Sequence, residues 1–420
     1  MKKRFRRLAA GLIGGLLALS CLACTGTDGE NPGENPNPAS ASSADTRGQE
    51  DREVLHDYQT ITIGGEHDCT MLFVNAGKAD SIVVKVDGKA YLIDAGTAAS
   101  PPMIYAALSW LEVEALDGVF LTHTHNDHVG GYRTVAECYP IEVCYTAAIT
   151  ADWGKLDAII EDTPRIALDP GSVVEIAEGA YFEVLGPIRY NPIDDNNNSL
   201  VLRLTVNGVT TIFAGDMLFD EEKTLMRAGM DLRCDLLKLG HHGKKDATST
   251  SLMQEAMPDY AVICTDREDD SATAHKSVVN ALKGMDAEVF VTDEYDLGLA
   301  VTIEKDGTLR FENAEPREKN PKVKLESVSK ADQSVVLHNK EGAEVDVSEW
   351  FLVSETGKEL FRFPDGTVIP ADGRLTVACM GSKVPADLTW KDGTVWHKTK
   401  EDNAVLIDHL GNLVDEKASE

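Results

Sequence analysis

Leu121-Thr122-His123-Thr124-His125-Asn126-Asp127-His128-Val129-Gly130-Gly131 places three histidines and an aspartate within six residues. The apolar run Val119-Phe120-Leu121 precedes them and two glycines follow, so the cluster reads as a turn leaving a strand. Imidazole and carboxylate are the donors that borderline divalent metals such as zinc accept. Histidine is scarce in this chain, with 11 in 420 residues, so such a cluster points to metal binding. Alternating donors on a turn can face two sides, and one short loop can therefore serve two adjacent ions.

Further landmarks lie downstream. Asn196-Asn197-Asn198-Ser199-Leu200 leads into the apolar run Val201 to Val206, and Ile212-Phe213-Ala214-Gly215-Asp216 ends a strand in a carboxylate. Leu236-Leu237-Lys238-Leu239-Gly240-His241-His242-Gly243 ends another in paired histidines, and Ala274-His275-Lys276-Ser277 precedes a helix. In this order the motifs resemble the metallo-β-lactamase superfamily. They look most like the extracytoplasmic metallo-hydrolase domain of the competence protein ComEC and its stand-alone relatives, bacterial phosphorylcholine esterases among them. The resemblance covers Tyr58 to Asn313.

It implies a site made of two ions, zinc being expected and manganese or iron the alternatives. His123 and His125 go to the first metal, Asp127 and His128 to the second, and Asp216 bridges them. His275 is the expected last ligand of the second metal. Family members with β-lactamase activity place another histidine about twenty residues before the bridging aspartate, where this chain has Asn198 and Ser199. One of His241 and His242 is then expected to complete the first metal. His242 is assigned that place and His241 the substrate phosphate or leaving group. Asn198 becomes a donor to the substrate or to groups behind the ligands. Asp127, His241 and Asn198 are thus the candidate catalytic residues. Lys244 stands where relatives often carry a small hydroxylic residue; it either contacts a phosphate or lies exposed.

Strand and turn signals fit this fold class. Ser81 to Val86 and Lys89 to Ile93 flank Asp87-Gly88, and Val201 to Val206 and Val209 to Phe213 flank Asn207-Gly208, both strong two-residue hairpin signals. Ile104 to Leu111, Phe219 to Met226, Leu252 to Met257 and Ser277 to Met285 read as helices, with strands over Tyr260 to Thr265 and Glu288 to Val291. Strand pairs followed by strand-helix alternation predict an α/β architecture, an αββα sandwich with ligands at strand ends.

The N-terminus reads as a targeting segment over 1–24. Met1 to Arg7 is basic, and Leu8 to Leu19 is apolar but short for a span. Ser20-Cys21-Leu22-Ala23-Cys24 resembles a lipoprotein processing site, with Cys24 as the expected lipidated residue and Cys21 the alternative. A Gly-, Asn-, Pro- and Ser-rich stretch over 25–57 reads as a disordered tether. The implied location is the outer face of a bacterial membrane, lipid-anchored, or else the medium. The remaining six of eight cysteines show no Cys-x-x-Cys spacing, which removes zinc-ribbon and redox readings.

After the hydrolase region, 58–314, a charged Pro-containing stretch precedes a turn-rich region over 322–420. Val345 to Leu352, Phe363-Pro364-Asp365-Gly366, Trp390 and Leu406-Ile407-Asp408-His409-Leu410-Gly411-Asn412-Leu413-Val414-Asp415 look like a lamin tail domain, a small immunoglobulin-like β-sandwich. His338, His397 and His409 there read as surface or packing residues; a partner at the cell surface is an association of that module.

Function classes narrow accordingly. A charge of −30, from 40 basic and 70 acidic residues, argues against non-specific attraction to nucleic acid. No Gly-x-Ser-x-Gly and no Walker loop compete for the chemistry. The expected activity is phosphodiester hydrolysis, on nucleic acid or on cell-wall phosphorylcholine or teichoic acid, with a non-catalytic surface scaffold as the third reading.

Overall fold

A computed structural model describes residues 66–150, 152–316, 322–354, 356, 359–399 and 402–420. The targeting segment and tether expected over 1–57 lie outside the described residues, as does most of the expected linker. No helix among the described residues is long and apolar enough to cross a membrane.

The first half runs β1 (Cys69–Val74), β2 (Ile82–Val86), β3 (Lys89–Ile93), α1 (Pro101–Trp110), β4 (Gly118–Leu121), α2 (Asn126–Val129), α3 (Tyr132–Cys138), β5 (Cys144–Ala147), α4 (Trp153–Ile160) and β6 (Arg165–Leu168). There follow β7 (Val173–Ala177), β8 (Ala180–Gly186), β9 (Val201–Val206), β10 (Val209–Phe213), α5 (Phe219–Arg227), β11 (Leu236–Lys238), α6 (Thr250–Ala256), β12 (Tyr260–Ile263), α7 (Lys276–Lys283), β13 (Glu288–Val291), β14 (Gly298–Ile303) and β15 (Leu309–Ala314).

Two sheets result, of eight strands (β15-β14-β1-β2-β3-β4-β5-β6) and seven (β13-β12-β11-β10-β9-β8-β7). Both hairpins form as the sequence implies: Asp87 and Gly88, then Asn207 and Gly208, take the positive φ that a tight two-residue turn requires. Between the sheets lies a core of Met71, Phe73, Val84, Phe120, Phe182, Leu202, Phe213 and Val262. Helices α1, α3 and α4 cover the outer face of the first sheet, and α5, α6 and α7 that of the second. This is the αββα sandwich. Sequence reading leaves out β1, β5 to β8, β14, β15, α3 and α4, whose runs are short or mixed.

The remaining strands are β16 (Val323–Ser329), β17 (Ser334–Asn339), β18 (Val345–Asp346), β19 (Phe351–Ser354), β20 (Leu360–Arg362), β21 (Val368–Ile369), β22 (Arg374–Cys379), β23 (Leu388–Trp390), β24 (Asn403–Ile407) and β25 (Leu413–Ala418). Sheets β16-β17-β22-β23 and β20-β19-β24-β25 enclose Leu337, Leu352, Trp390, Trp396 and Leu406.

This all-β unit is not a free appendage. Phe351, Val353, Val405 and Ile407 join Leu72, Ile104, Tyr105, Leu108 and Tyr139 in one apolar cluster. The rings of Phe351 and Tyr105 lie 5.4 Å apart. Arg362 pairs with Glu137 on α3 at 2.6 Å and with Glu349. At Gly411 a Cβ would meet the Ala106 nitrogen at 2.2 Å, so only glycine permits the approach to α1.

Candidate metal centre

Strand β4 is buried throughout and delivers the histidine loop to the edge between the sheets. His125 stands at the start of α2, which holds Asp127 and His128. The two glycines after it are sterically required: a Cβ at Gly130 would meet the Asn126 oxygen at 2.4 Å, and at Gly131 the Ala95 oxygen at 2.2 Å. The loop is thereby pressed onto the turn after β3, which carries Asp94.

Three groups of donors converge, each with its atoms within 4.8 Å of one another: His123, His125 and Asp216; Asp127, His128 and His242; Asp80, His128 and Asp216. His128 Nε2 is 3.3 Å from Asp216 Oδ2. His242 Nε2 is 3.4 Å from Asp127 Oδ2 and 3.6 Å from Asp216 Oδ2. Asp216 thus stands in two of the groups.

The histidines are held by one ring nitrogen each. Asp94 Oδ2 lies 2.7 Å from His128 Nδ1 and accepts from Thr122 Oγ1 at 2.8 Å. His242 Nδ1 donates to the Cys264 carbonyl at 2.9 Å. His123 Nδ1 is 3.1 Å from Thr122 Oγ1 and 3.3 Å from Ser199 Oγ, which also accepts from the Asp216 N–H at 3.0 Å. The opposite atoms, Nε2 of His123, His128 and His242 and Oδ1 of Asp216, are buried without a hydrogen-bond partner. Buried polar atoms left so are costly, and several of them converging on one point call for an ion. The donor set fits a pair of divalent cations.

Charge tells the same story. Burial pulls His128 down, but Asp216 and Asp94 outweigh it and raise the imidazole well above its ordinary value. His242, also opposed by burial, is raised to about 9, chiefly by Asp216 and Asp127. His123 is held well below its ordinary value, by burial and then by His128. Asp216 is driven well down by His242 and His128 despite its burial. Protons on His128 and His242 hold the places that cations would take.

Two expectations change, and the alternative left open for Asn198 narrows to one. His242 joins Asp127 and His128, not His123 and His125. His241 and His242 both adopt left-handed backbone (φ 46° and 53°), and this turn carries the His242 ring across to the second group. His275, expected there, belongs to none of the three groups; its Nδ1 lies 2.7 Å from Ser277 Oγ and accepts from the Ser277 N–H, capping α7. Asn198 faces no open site. It accepts from the Asn191 N–H at 2.7 Å and donates to the Asn191 oxygen and Asp195 Oδ1. Asp195 in turn accepts from the Thr124 N–H and hydroxyl, so Asn198 steadies the histidine loop from behind. His241 lies beside the centre with Nδ1 3.0 Å from Asp246 Oδ1, and burial holds it below its ordinary value.

Sequence reading overlooks Asp80 and Lys238. Both are fully buried and paired, and Lys238 also donates to the Gly215 carbonyl at 3.0 Å. Asp80 Oδ1 is 3.4 Å from His242 Nδ1. A lysine inside the apolar run Leu236 to Leu239 was the available signal. Lys78, 3.1 Å from Asp127 Oδ2, had none.

Residues 74–267 match the metallo-beta-lactamase superfamily and residues 316–419 the lamin tail domain. ComE operon protein 3 of Bacillus subtilis is 26% identical over 187 residues, 43% of this chain and 24% of that protein. Competence protein ComA of Neisseria gonorrhoeae is 27% identical over 235 residues, 54% of this chain and 31% of that one. The chain therefore spans about a quarter to a third of the length of these curated relatives. Among solved structures, the metallo-beta-lactamase fold protein YhfI from Bacillus subtilis aligns over 56% of this chain and 99% of its own, with 17% identity and a TM-score of 0.39. Residues 74–267 thus belong to the metallo-beta-lactamase superfamily of metal-dependent hydrolases, and residues 316–419 to the lamin tail domain family.

Proposed function

We propose that this chain is an exported, lipid-anchored phosphodiesterase working with two divalent ions, zinc first among the candidates. His123, His125 and Asp216 would hold one ion and Asp127, His128 and His242 the other, with Asp216 shared. The observation that carries this is the convergence of three buried, unpartnered Nε2 atoms on the Asp216 carboxylate. With Asp216 counted for both, one ion would have three protein donors and the other four, and an open position at the first is the mark of a catalytic rather than a structural site. Such a pair supplies a water of lowered pKa and neutralises charge gathering on phosphate oxygens.

The chain's own residues do the rest. Asp94 and the Cys264 carbonyl fix the rings of His128 and His242. Asp246 holds His241 by Nδ1, leaving Nε2 for the leaving group. Two relatives bear competence names, which favours a phosphodiester. The charge of −30 favours a short or exposed diester, cell-wall phosphorylcholine or teichoic acid included, over long DNA. Export and anchoring rest on Met1 to Cys24, and a cell-surface partner is the suggested role of the C-terminal module.

Purified protein loaded with zinc, manganese or iron should hydrolyse a chromogenic diester and leave a chromogenic cephalosporin intact. Asp216→Asn should keep the fold and lose most diesterase activity, since a neutral amide bridges two cations poorly. Activity within about threefold of the parent would remove Asp216 from the bridge. His241→Ala should slow turnover while metal content persists.

A further inference from the structure

Two lysines, one paired with a donor of the second group and one two residues beyond His242, each rest on a carboxylate. Lys78 Nζ lies 3.1 Å from Asp127 Oδ2, and Lys244 Nζ 3.4 Å from Asp270 Oδ2. A third, Lys238, is wholly buried against Asp80 and cannot reach a substrate. Lys244 immediately follows the left-handed turn that swings His242 inward. Its backbone is fixed there: its N–H donates to the His241 oxygen at 3.0 Å, and its carbonyl accepts from Ala247 at 3.3 Å. The base of the side chain is therefore rigid while its tip is partly open, 21% exposed against 28% for Asp270.

Asp270 is itself held in place. Its Oδ1 accepts from the Ala272 N–H at 2.9 Å, and its own N–H donates to the Asp266 carbonyl. Burial works against its charge, but the Ala272 N–H, Lys244 and Lys78 keep the carboxylate below its ordinary value. A fixed anion thus sits near both lysines in an otherwise strongly acidic chain. Ion pairs of this exposure are weak and exchange partners easily.

We propose that Lys244 reads a second anionic group on the substrate, one link from the scissile phosphate, and that Asp270 stands in for that group in the free protein. The substrate class is then a phosphodiester bearing a neighbouring phosphate, not an isolated diester. This rests on the diesterase reading and adds to it a specificity residue that the family pattern lacks at this position.

The test uses the metal-loaded full chain with a dinucleoside phosphate carrying or lacking a terminal phosphate. A charge-assisted contact of this kind is worth about tenfold, so the parent should favour the phosphorylated substrate by about that factor in kcat/KM. Lys244→Gln should collapse the ratio toward one, Lys244→Arg should restore most of it, and Asp270→Asn should increase it. Calorimetric titration with inorganic phosphate gives a reading independent of turnover: binding should weaken about tenfold in Lys244→Gln and tighten in Asp270→Asn. Equal loss on both substrates with unchanged phosphate binding would overturn the proposal. If the parent cleaves neither dinucleoside nor a chromogenic diester, the diesterase reading fails. The phosphate titration then still decides whether Lys244 binds an anion.

Discussion

Replacing Glu221 with glutamine should make the protein more stable at pH 8 and leave it nearly unchanged at pH 4. Glu221 opens α5, is 3% exposed, and accepts from the Ile188 N–H at 2.7 Å through Oε1. Burial raises its pKa from 4.5 to about 7, opposed by that hydrogen bond and by Arg189. The folded state therefore binds the proton more tightly than the unfolded chain, and stability falls as pH climbs between those two values. At about 1.4 kcal/mol per pH decade the full penalty is about 3 kcal/mol above pH 7. Below pH 4.5 both states carry the proton and the penalty vanishes. Glutamine keeps the acceptor for Ile188 but never ionises, so it escapes the penalty and forfeits the attraction of Arg189. Denaturant unfolding of parent and variant at pH 4, 6 and 8 reads the difference directly, and all other titrations cancel in it. A variant-minus-parent stability that is the same at all three pH values would refute the reasoning.

Purified protein should carry close to two transition-metal ions per chain by elemental analysis, and the pair His123→Ala and His128→Ala should abolish both metal and activity; stoichiometric metal in that variant would sink the site. Metal uptake should release protons and weaken as pH falls through about 9 toward neutrality, because His242 is raised to about 9 and must lose its proton to bind; proton release followed by calorimetry in two buffers checks it. Cys24→Ser should leave unprocessed precursor in the membrane or free the protein into the medium, read by fractionation; an effect confined to Cys21→Ser would move the processing site. Phe351→Ala should cost about 3–5 kcal/mol and loosen α1 as well as the C-terminal sheet, so hydrogen exchange over Pro101–Trp110 should accelerate; protection unchanged there would deny that the two units share a core.

The histidine loop, both hairpins and the order of landmarks were legible because local chemistry fixes them: clustered donors, Asp-Gly and Asn-Gly turns, apolar runs ending in a charge. The interior partners were less so. Asp80 and Lys238 are 158 residues apart in sequence and meet only when β11 folds beside the turn after β1. His242 takes the place expected of His275 in the second donor group because two left-handed residues redirect a ring, which no spacing rule anticipates. Asn198 reads as a donor either to the substrate or to groups behind the ligands, and Asn191 and Asp195 favour the second by claiming its side-chain oxygen and nitrogen. Strands such as Arg165–Leu168, with three exposed residues of four, carry too little alternation to be seen.

The cluster that joins Leu72 and Ile104 to Val405 and Ile407 sets the order in which this molecule can be finished. A chain emerging from the ribosome presents β1, α1 and α3 hundreds of residues before β24 arrives to cover them. Until then Tyr105 and its neighbours face water or whatever apolar surface is near, and contacts closed over such sequence distances form late. A chain truncated within the lamin tail region would leave the seam on α1 open to water, with Ile104, Tyr105 and Leu108 no longer covered by Phe351, Val405 and Ile407.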